Sequence, residues 1–519
     1  MPDLVIQPVD NTWIRIDCSD DVAHELSDYF TFEKPQAAHI RRQEKYRHWD
    51  GKIRLFKLRT HTLYKGLIPH VHQFAEDRSY SVVNHIPPPH SVRQESLDDY
   101  LQGFDLPFPP HDFQLAAIRH CLDHERAIVL SPTGSGKSFI LYLLTRCLID
   151  SKTLIIVPTI GLLSQLTKAF IEYGCPEETI HVVRPGGSKQ SHALLTFTTW
   201  QSVYEQEPEY FQQFECVIVD EVHLATAKSL TGIMEQCTNA VYRYGVTGTL
   251  NDAQCHQLVL EGLFGPLKAV TTTHALMKDG TLTPLNIKIL ILEYPDSIKR
   301  HNRRENKQYP NEIEFLCSCK PRNEFIVQLV KRLKGNTLVL FQLVEKHGKD
   351  LFEVLNAACQ PRTHYIDGST DAETREVIRQ YVMANDDQII VASYGTFSTG
   401  IDIPNLDNIV FAHGSKSKIR VLQSLGRSLR VAEGKTTATL YDIVDDLRIG
   451  KYTNYSWLHG QERMKYYTSE KFKTSMVSVP LSMFTVKAPQ KATNALGTTN
   501  VCLPSSHSTD LRALRFKEV

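Results

Sequence analysis

Two kinds of hydrophobic pattern divide this chain. Up to about residue 90, apolar positions alternate in short stretches or recur at helical spacing. Trp13-Ile-Arg-Ile-Asp17 alternates as a half-buried strand does, and Lys52-Ile-Arg-Leu-Phe56 repeats the pattern with Ile53 and Leu55 inward. Ser19 followed by Asp20 and Asp21 is a helix start, with Ala23, Leu26 and Phe30 as the apolar face. Pro87-Pro-Pro89 breaks regular structure, and the polar stretch running to Pro107 and Pro110 reads as a linker. From His111 the apolar runs become continuous: Ala127–Leu130, Thr153–Val157 and Cys216–Val219. A second series follows from about residue 285: Ile287–Leu292, Thr337–Phe341, Gln388–Ala392, Asn408–Phe411 and Ala438–Tyr441. Such runs suit parallel strands covered by helices on both faces. The pattern predicts an α/β chain: a small N-terminal α/β domain (1–90), a linker (91–110), two tandem parallel-sheet domains (111–284 and 285–475), and a flexible tail (476–519) rich in Ser, Thr, Ala and Pro.

Composition adds a boundary. At roughly 150 residues per domain, 519 residues make three or four domains. With 58 Lys+Arg against 58 Asp+Glu the formal charge is zero, which excludes gripping nucleic acid by bulk charge and leaves local patches. The densest patch runs from Arg41 to Lys65, where nine basic residues face only Glu44 and Asp50, with Tyr46, Trp49, Phe56 and Tyr64 interleaved. Arg41, Arg42, Lys52 and Arg54 are its candidate phosphate contacts. The alternative is a solvated strand face with Trp49 in a small core. A second run, Lys299–Lys307, and the basic residues Lys416, Lys418 and Arg420 after His413 are further candidates. The 11 cysteines include no CxxC, and Cys317 and Cys319 form the only close pair, so reduced, mostly buried thiols are expected. Met1–Val9 carries no basic-to-apolar leader and no apolar run approaches the ~20 residues of a membrane span, so a cytoplasmic protein is expected (the host's cytoplasm if the source is viral).

The chemistry sits after the first continuous run. Ser131-Pro-Thr-Gly-Ser-Gly-Lys-Ser138 lies between a strand pattern and the apolar helix pattern Phe139–Leu148, the context of a P-loop. Thr133, Gly134, Ser135 and Gly136 supply backbone N–H groups for phosphate oxygens, Lys137 reaches the β- and γ-phosphates of ATP, and the Ser138 hydroxyl suits Mg2+. The usual first glycine is Ser131. A second strand runs into Asp220-Glu221-Val222-His223. Asp220 is placed to hold Mg2+, Glu221 to orient and deprotonate the attacking water, and His223 to link the nucleotide site to a neighbouring segment.

These motifs together resemble the second helicase superfamily, over about residues 111–450. The resemblance implies two RecA-like motor domains driven by ATP and Mg2+, with a DExH-type box at Asp220–His223. It implies that Gln114 of Phe113-Gln114 reads adenine. Pro158-Thr159 and Thr199-Trp200-Gln201 match nucleic-acid-contacting motifs. Thr247-Gly248-Thr249 matches the hydroxyl motif that couples the domains. Ser393–Asp402 matches the fifth motif, putting Gly400 and Asp402 in the nucleotide cleft, where Asp402 contacts the ribose or shapes the loop. Gln423–Arg430 matches the sixth, with Gln423 as a coupling residue. Arg427 and Arg430, three apart and so on one face of a helix, supply fixed charge to the transferring phosphoryl group. A narrower set, Trp49–Leu55, Asp220–Thr226, Ala392–Gly400 and His413–Ile419, is similar to the UvsW-type recombination helicases of T-even-like bacteriophages, over about residues 12–475. That resemblance implies a monomeric motor in phage recombination, replication and repair. Its implied substrates are branched DNA (forks, Holliday junctions, D-loops) and RNA–DNA hybrids, and its implied partners recombination and single-strand-binding proteins. A DExH-type RNA helicase is the alternative enzyme. A nuclease-bearing restriction motor would need a second acidic constellation, which the sequence lacks, and a non-enzymatic scaffold would not need both halves of an ATP site.

Overall fold

The computed structural model describes residues 2–34, 37, 41, 49–88, 100–101, 103–189, 192–224, 228–249, 254–305, 308–400, 403–414, 426, 429–432, 434–484 and 517–518. They form two units, residues 1–272 and 273–519.

The alternating N-terminal segments give short strands: β1 (Leu4–Pro8), β2 (Trp13–Asp17), β3 (Thr31–Glu33), β4 (Lys52–Arg54), β5 (Thr62–Tyr64) and β6 (Val82–Asn84). Four of them make a sheet in the order β5-β2-β1-β6, while β3 and β4 pair antiparallel with each other. The helix Asp20–Tyr29 begins as its sequence predicts, with Ser19 capping the Val22 N–H and Val22, Ala23 and Leu26 buried.

The continuous runs of the first unit become β7 (Arg126–Leu130), β8 (Thr153–Val157), β9 (Ile180–Val183), β10 (Leu195–Thr199), β11 (Cys216–Asp220), β12 (Tyr242–Thr247) and β13 (Leu267–Ala269). They form one parallel sheet in the order β13-β7-β12-β11-β8-β10-β9. The second unit holds β14 (Leu285–Glu293), β15 (Asn336–Phe341), β16 (Thr363–Ile366), β17 (Ile389–Ser393), β18 (Leu406–Phe411), β19 (Ala438–Asp446), β20 (Lys473–Pro480) and the short β21 (Lys517–Glu518). Its order is β16-β17-β15-β18-β19-β14-β20-β21, with every neighbouring pair parallel except β20 and β21. Tandem RecA-like sheets behind a small α/β region are thus the architecture.

Three expectations change. The N-terminal α/β region is not separated from the first motor. One apolar core runs from Leu4, Ile14, Leu63 and Phe74 into Met234, Leu260, Leu263 and Phe264 of the first motor. A Cβ at Gly66 would overlap the backbone carbonyls of Glu261 and Gly262, and one at Gly262 would come within 2.8 Å of the Tyr64 ring. Tyr64 donates to Glu235 at 2.6 Å, and His70 meets Glu261 at 2.7 Å. The fully buried Arg243 of β12 donates to Thr12 Oγ1, and Arg126 donates to the Asn11 carbonyl. Lys65, counted above in the basic patch, lies at this same junction. It donates to Asn11 Oδ1, and burial followed by the charge of Arg126 pushes its amine down to about 8.

Second, residues 100–108 are more than a linker. Leu101 is buried in the first motor's core, where Phe104 and Leu106 pack against it. Arg146 stacks over the Phe104 ring at 4.6 Å. Third, residues 476–484 are not tail. They complete β20 beside β14, and Leu481 and Phe484 are buried.

Candidate ATP site and nucleic-acid contacts

Three neighbouring strands, β7, β12 and β11, end at the same edge of the first sheet and carry the P-loop, Thr247 and Asp220. Gly134 (φ +88°) and Gly136 (φ +77°) take the left-handed backbone that the loop's curl requires. The helix Lys137–Cys147 follows at once, so its free N–H groups and positive end face the loop. Ser131, in place of the usual glycine, has no positive φ and is fully buried. Its hydroxyl donates to Ser135 Oγ at 2.6 Å, and Ser135 Oγ donates to the Pro132 carbonyl at 2.7 Å. The loop is braced from within by hydroxyls. Lys137 Nζ lies 3.5 Å from the Ser131 carbonyl. A Cβ at Gly248 would stand 3.3 Å from both Lys137 Nζ and Thr133 Oγ1, so a glycine there leaves the phosphate cradle room.

Gln114 is 3% exposed and both ends of its amide are engaged. Nε2 donates to the Ser135 carbonyl at 3.0 Å, and Oε1 accepts the His111 N–H at 2.9 Å. This arrangement makes it a brace between the preceding helix and the P-loop, with one N–H and one carbonyl lone pair of the amide still free of these two bonds.

At the end of β11 the chain takes a sharp turn. Glu221 sits at φ +53°, a conformation that costs a residue with a side chain about 1–3 kcal/mol. Asp220 Oδ1 accepts the Glu221 N–H at 2.9 Å and helps hold the turn. Thr247 Oγ1 lies 3.2 Å from Glu221 Oε2 and 2.9 Å from His223 Nδ1, and His223 lies 3.3 Å from Glu221. Thr247 also meets the carbonyl and N–H of Thr249 at 2.9 and 3.4 Å, while the Thr249 hydroxyl is buried without a partner among the described residues. Burial and the Glu221 charge raise the Asp220 carboxyl. Burial works the same way on Glu221, but the hydrogen bond from His223 and the charge of Lys137 outweigh it and hold that carboxyl below the usual range. The Ser138 hydroxyl and the half-buried Asp220 carboxylate are hard oxygen donors of the kind that fits Mg2+.

The remaining predicted residues are placed as follows. Thr159 caps the helix Ile160–Glu172 by accepting the Leu162 N–H at 3.3 Å. Thr199 is buried with its hydroxyl 2.9 Å from Ser202, Trp200 packs on the core, and Gln201 is exposed. Arg41 pairs with Glu33 at 3.3 Å and Arg54 with Asp50 at 2.5 Å, both on the surface, and Lys52 is exposed. Trp49 is half-buried, its indole donating to the Lys52 carbonyl at 3.2 Å. In the second unit Gly400 ends the helix Tyr394–Gly400. Arg430 is not helical: it bridges Leu282, and its carbonyl accepts from Thr283 and Lys435. Those claims on the backbone hold it extended. Arg42, Asp402, Gln423 and Arg427 lie outside the described residues.

Sequence reasoning missed the buried charges. In the second unit Arg322 pairs with Asp445, and Arg463 with Asp442, each at 2.8 Å and almost fully buried. Tyr294 and Ser456 also donate to Asp445, and Tyr467 to Asp442. Their only sequence signal is an acidic pair set in an apolar strand.

A P-loop and a DExH turn on neighbouring strand ends of one parallel sheet, followed by a second such sheet, define the motor of a superfamily 2 helicase. Comparison with known proteins narrows the class. Residues 3–84 match the family model "DNA helicase UvsW, N-terminal", 90–252 "Type III restriction enzyme, res subunit", and 321–432 "Helicase conserved C-terminal domain". The chain is 34% identical over 507 residues to the ATP-dependent DNA helicase uvsW of Enterobacteria phage T4, covering 92% of this chain and 100% of that protein. It therefore belongs to the UvsW family of DNA helicases. It is also 26% identical over 382 residues to a DNA 3'-5' translocase, XPB2, of Sulfurisphaera tokodaii (65% of this chain, 84% of that one). A fragment structure of an HsdR subunit of a type I restriction enzyme from Vibrio vulnificus shares the fold at 17% identity and a TM-score of 0.55, over 79% of this chain and 74% of that one.

Proposed function

We infer that the protein is an ATP-dependent DNA helicase that remodels branched DNA: forks, Holliday junctions, D-loops and RNA–DNA hybrids. The observation that carries the reading is the P-loop and DExH turn on one sheet edge, in a chain that covers the whole length of the T4 helicase. Lys137 and the N-terminus of its helix bind and orient the phosphates. Ser138 and Asp220 would hold Mg2+, which would supply positive charge at the phosphates. Glu221, kept ionised by His223, Thr247 and Lys137, orients water and accepts its proton. Gly400, Asp402, Gln423, Arg427 and Arg430 belong to the second motor's share of the site, with the two arginines compensating charge in the transition state. Arg41, Arg42, Lys52, Arg54, Thr159, Thr199, Trp200 and Gln201 are the proposed DNA contacts, and His223, Thr247 and Thr249 relay the nucleotide state. The similarity to a relative named a 3'-5' translocase makes that polarity the first to test. Among the described residues no helix is long and apolar enough to cross a membrane. The proposed setting is the cytoplasm of an infected host, together with phage recombination and single-strand-binding proteins.

The test is ATP hydrolysis and strand separation on single-stranded, duplex, forked and four-way DNA and on structured RNA. Strongest stimulation by forked or four-way DNA is expected. Preferential stimulation by RNA would make the protein an RNA helicase instead.

A further inference from the structure

Beside the P-loop, one hydroxyl has a partner from outside the motifs. Tyr173 closes the helix Ile160–Glu172, and its phenolic oxygen stands 3.1 Å from Ser138 Oγ. Aromatic rings hold the phenol on several sides: Phe139 at 5.2 Å, Tyr142 at 5.5 Å and Phe108 at 5.8 Å between centroids. Phe139 and Tyr142 lie on the helix that starts at the P-loop, so ring and loop are fixed to the same element.

We propose that Tyr173 is a positioning residue for the Ser138 hydroxyl and thereby sets the affinity for the Mg2+ that accompanies the nucleotide. The inference rests on the ATP-site reading above. A serine hydroxyl has one proton and two lone pairs. When it gives a lone pair to a cation, its proton must turn away from that cation toward an acceptor. The Tyr173 oxygen, 3.1 Å away, is such an acceptor. Without the cation the bond can run the other way, with the phenol donating. Tyr173 therefore satisfies the serine in both states and keeps its lone pair aimed while the cation comes and goes. Partners of this kind, one step outside the ligands, typically change metal affinity by about 10–100-fold when removed.

The test is Tyr173→Phe, which keeps the ring and its packing but deletes the acceptor. ADP binding is titrated by calorimetry with Mg2+ and in EDTA, alongside melting temperature and the Mg2+ dependence of ATP hydrolysis, with Lys137→Ala as the control. The Mg2+ concentration for half-saturation should rise about tenfold. The melting temperature, the ADP affinity in EDTA and kcat at saturating Mg2+ should stay near wild type. An unchanged Mg2+ dependence overturns the proposal. So does an equal loss of ADP affinity with and without Mg2+, which would assign Tyr173 to packing alone. If Lys137→Ala still turns over ATP at the wild-type rate, the ATP-site reading itself has failed. If that control is inactive and Tyr173→Phe is silent, only this inference falls.

Discussion

Lys137 is half-buried and directed at the loop and the Gly248 backbone, so its removal takes a charge from the cradle and leaves the core intact. Lys137→Ala should abolish ATP hydrolysis while thermal unfolding and DNA binding stay near wild type. Steady-state hydrolysis and a melting curve check this. A second prediction concerns His413, which is 5% exposed and among the described residues has no partner on either ring nitrogen. Burial, then the charge of Arg322, lowers its pKa from 6.5 to about 4. Arg463 adds to that, and Asp445 opposes it. His347, also buried and neutral, lies close enough for its own titration to feel His413. The folded state therefore refuses a proton that the unfolded state accepts. The His413 contribution is complete above pH 6.5 and is lost as pH falls toward 4, to a total of roughly 3 kcal/mol. Denaturant midpoints measured from pH 7.5 to 4.5 should fall less steeply for His413→Gln than for wild type. At this scale the placing of Lys137, Ser138, Asp220, Glu221 and His223 at neighbouring strand ends was legible, because their spacing is itself the signal. Tyr173 was not, because its link to Ser138 spans 35 residues and depends on ring packing.

Between residue and domain, the strands that pattern reading truncated or overlooked are those carrying polar groups with distant partners. Ala438–Tyr441 reads as a strand that stops at Asp442, yet β19 continues to Asp446 because Arg463 and Arg322 neutralise its acids. Tyr242–Thr247 contains Arg243, which no hydrophobic run would admit, but its donors reach the carbonyls of Met234, Cys237 and Ala240 and the Thr12 hydroxyl. Met476–Pro480 reads as tail, although it completes the strand beside β14. The buried pairs give a prediction. Asp442→Asn leaves the guanidinium of Arg463 buried beside a neutral amide, and should cost about 3–5 kcal/mol of stability. Replacing Arg463 and Asp442 together with apolar residues should restore much of it. Urea denaturation of the single and double variants measures both.

For the molecule as a whole, the shared core ties residues 1–90 to the first motor. Deleting them would uncover Met234, Leu260, Leu263 and Phe264 and strip Arg243 of its Thr12 contact. The shortened chain should aggregate or melt well below the full one, which light scattering during a thermal ramp will show. The basic patch is better tested by neutralising Arg41, Arg42, Lys52 and Arg54 in the full chain. Each lost phosphate contact should lower the log–log salt slope of duplex binding by about 0.9. Forked-DNA affinity at several salt concentrations reads it, and an unchanged slope would mean a solvated face. Arg41 and Arg54 must first release Glu33 and Asp50, so Lys52→Ala should weaken binding more than either Arg41→Ala or Arg54→Ala. The order of domains was legible because each strand–turn–helix signal is local. The welding of the first two was not, because it depends on Gly66 and Gly262, whose value is the absence of a side chain.

Ser131 bears on how such motors are recognised at all. Its backbone needs no glycine, and its hydroxyl adds a bond that glycine cannot make. A search template that insists on glycine at that position discards chains like this one before their remaining motifs are read. A template built on the two left-handed positions, Gly134 and Gly136, keeps them.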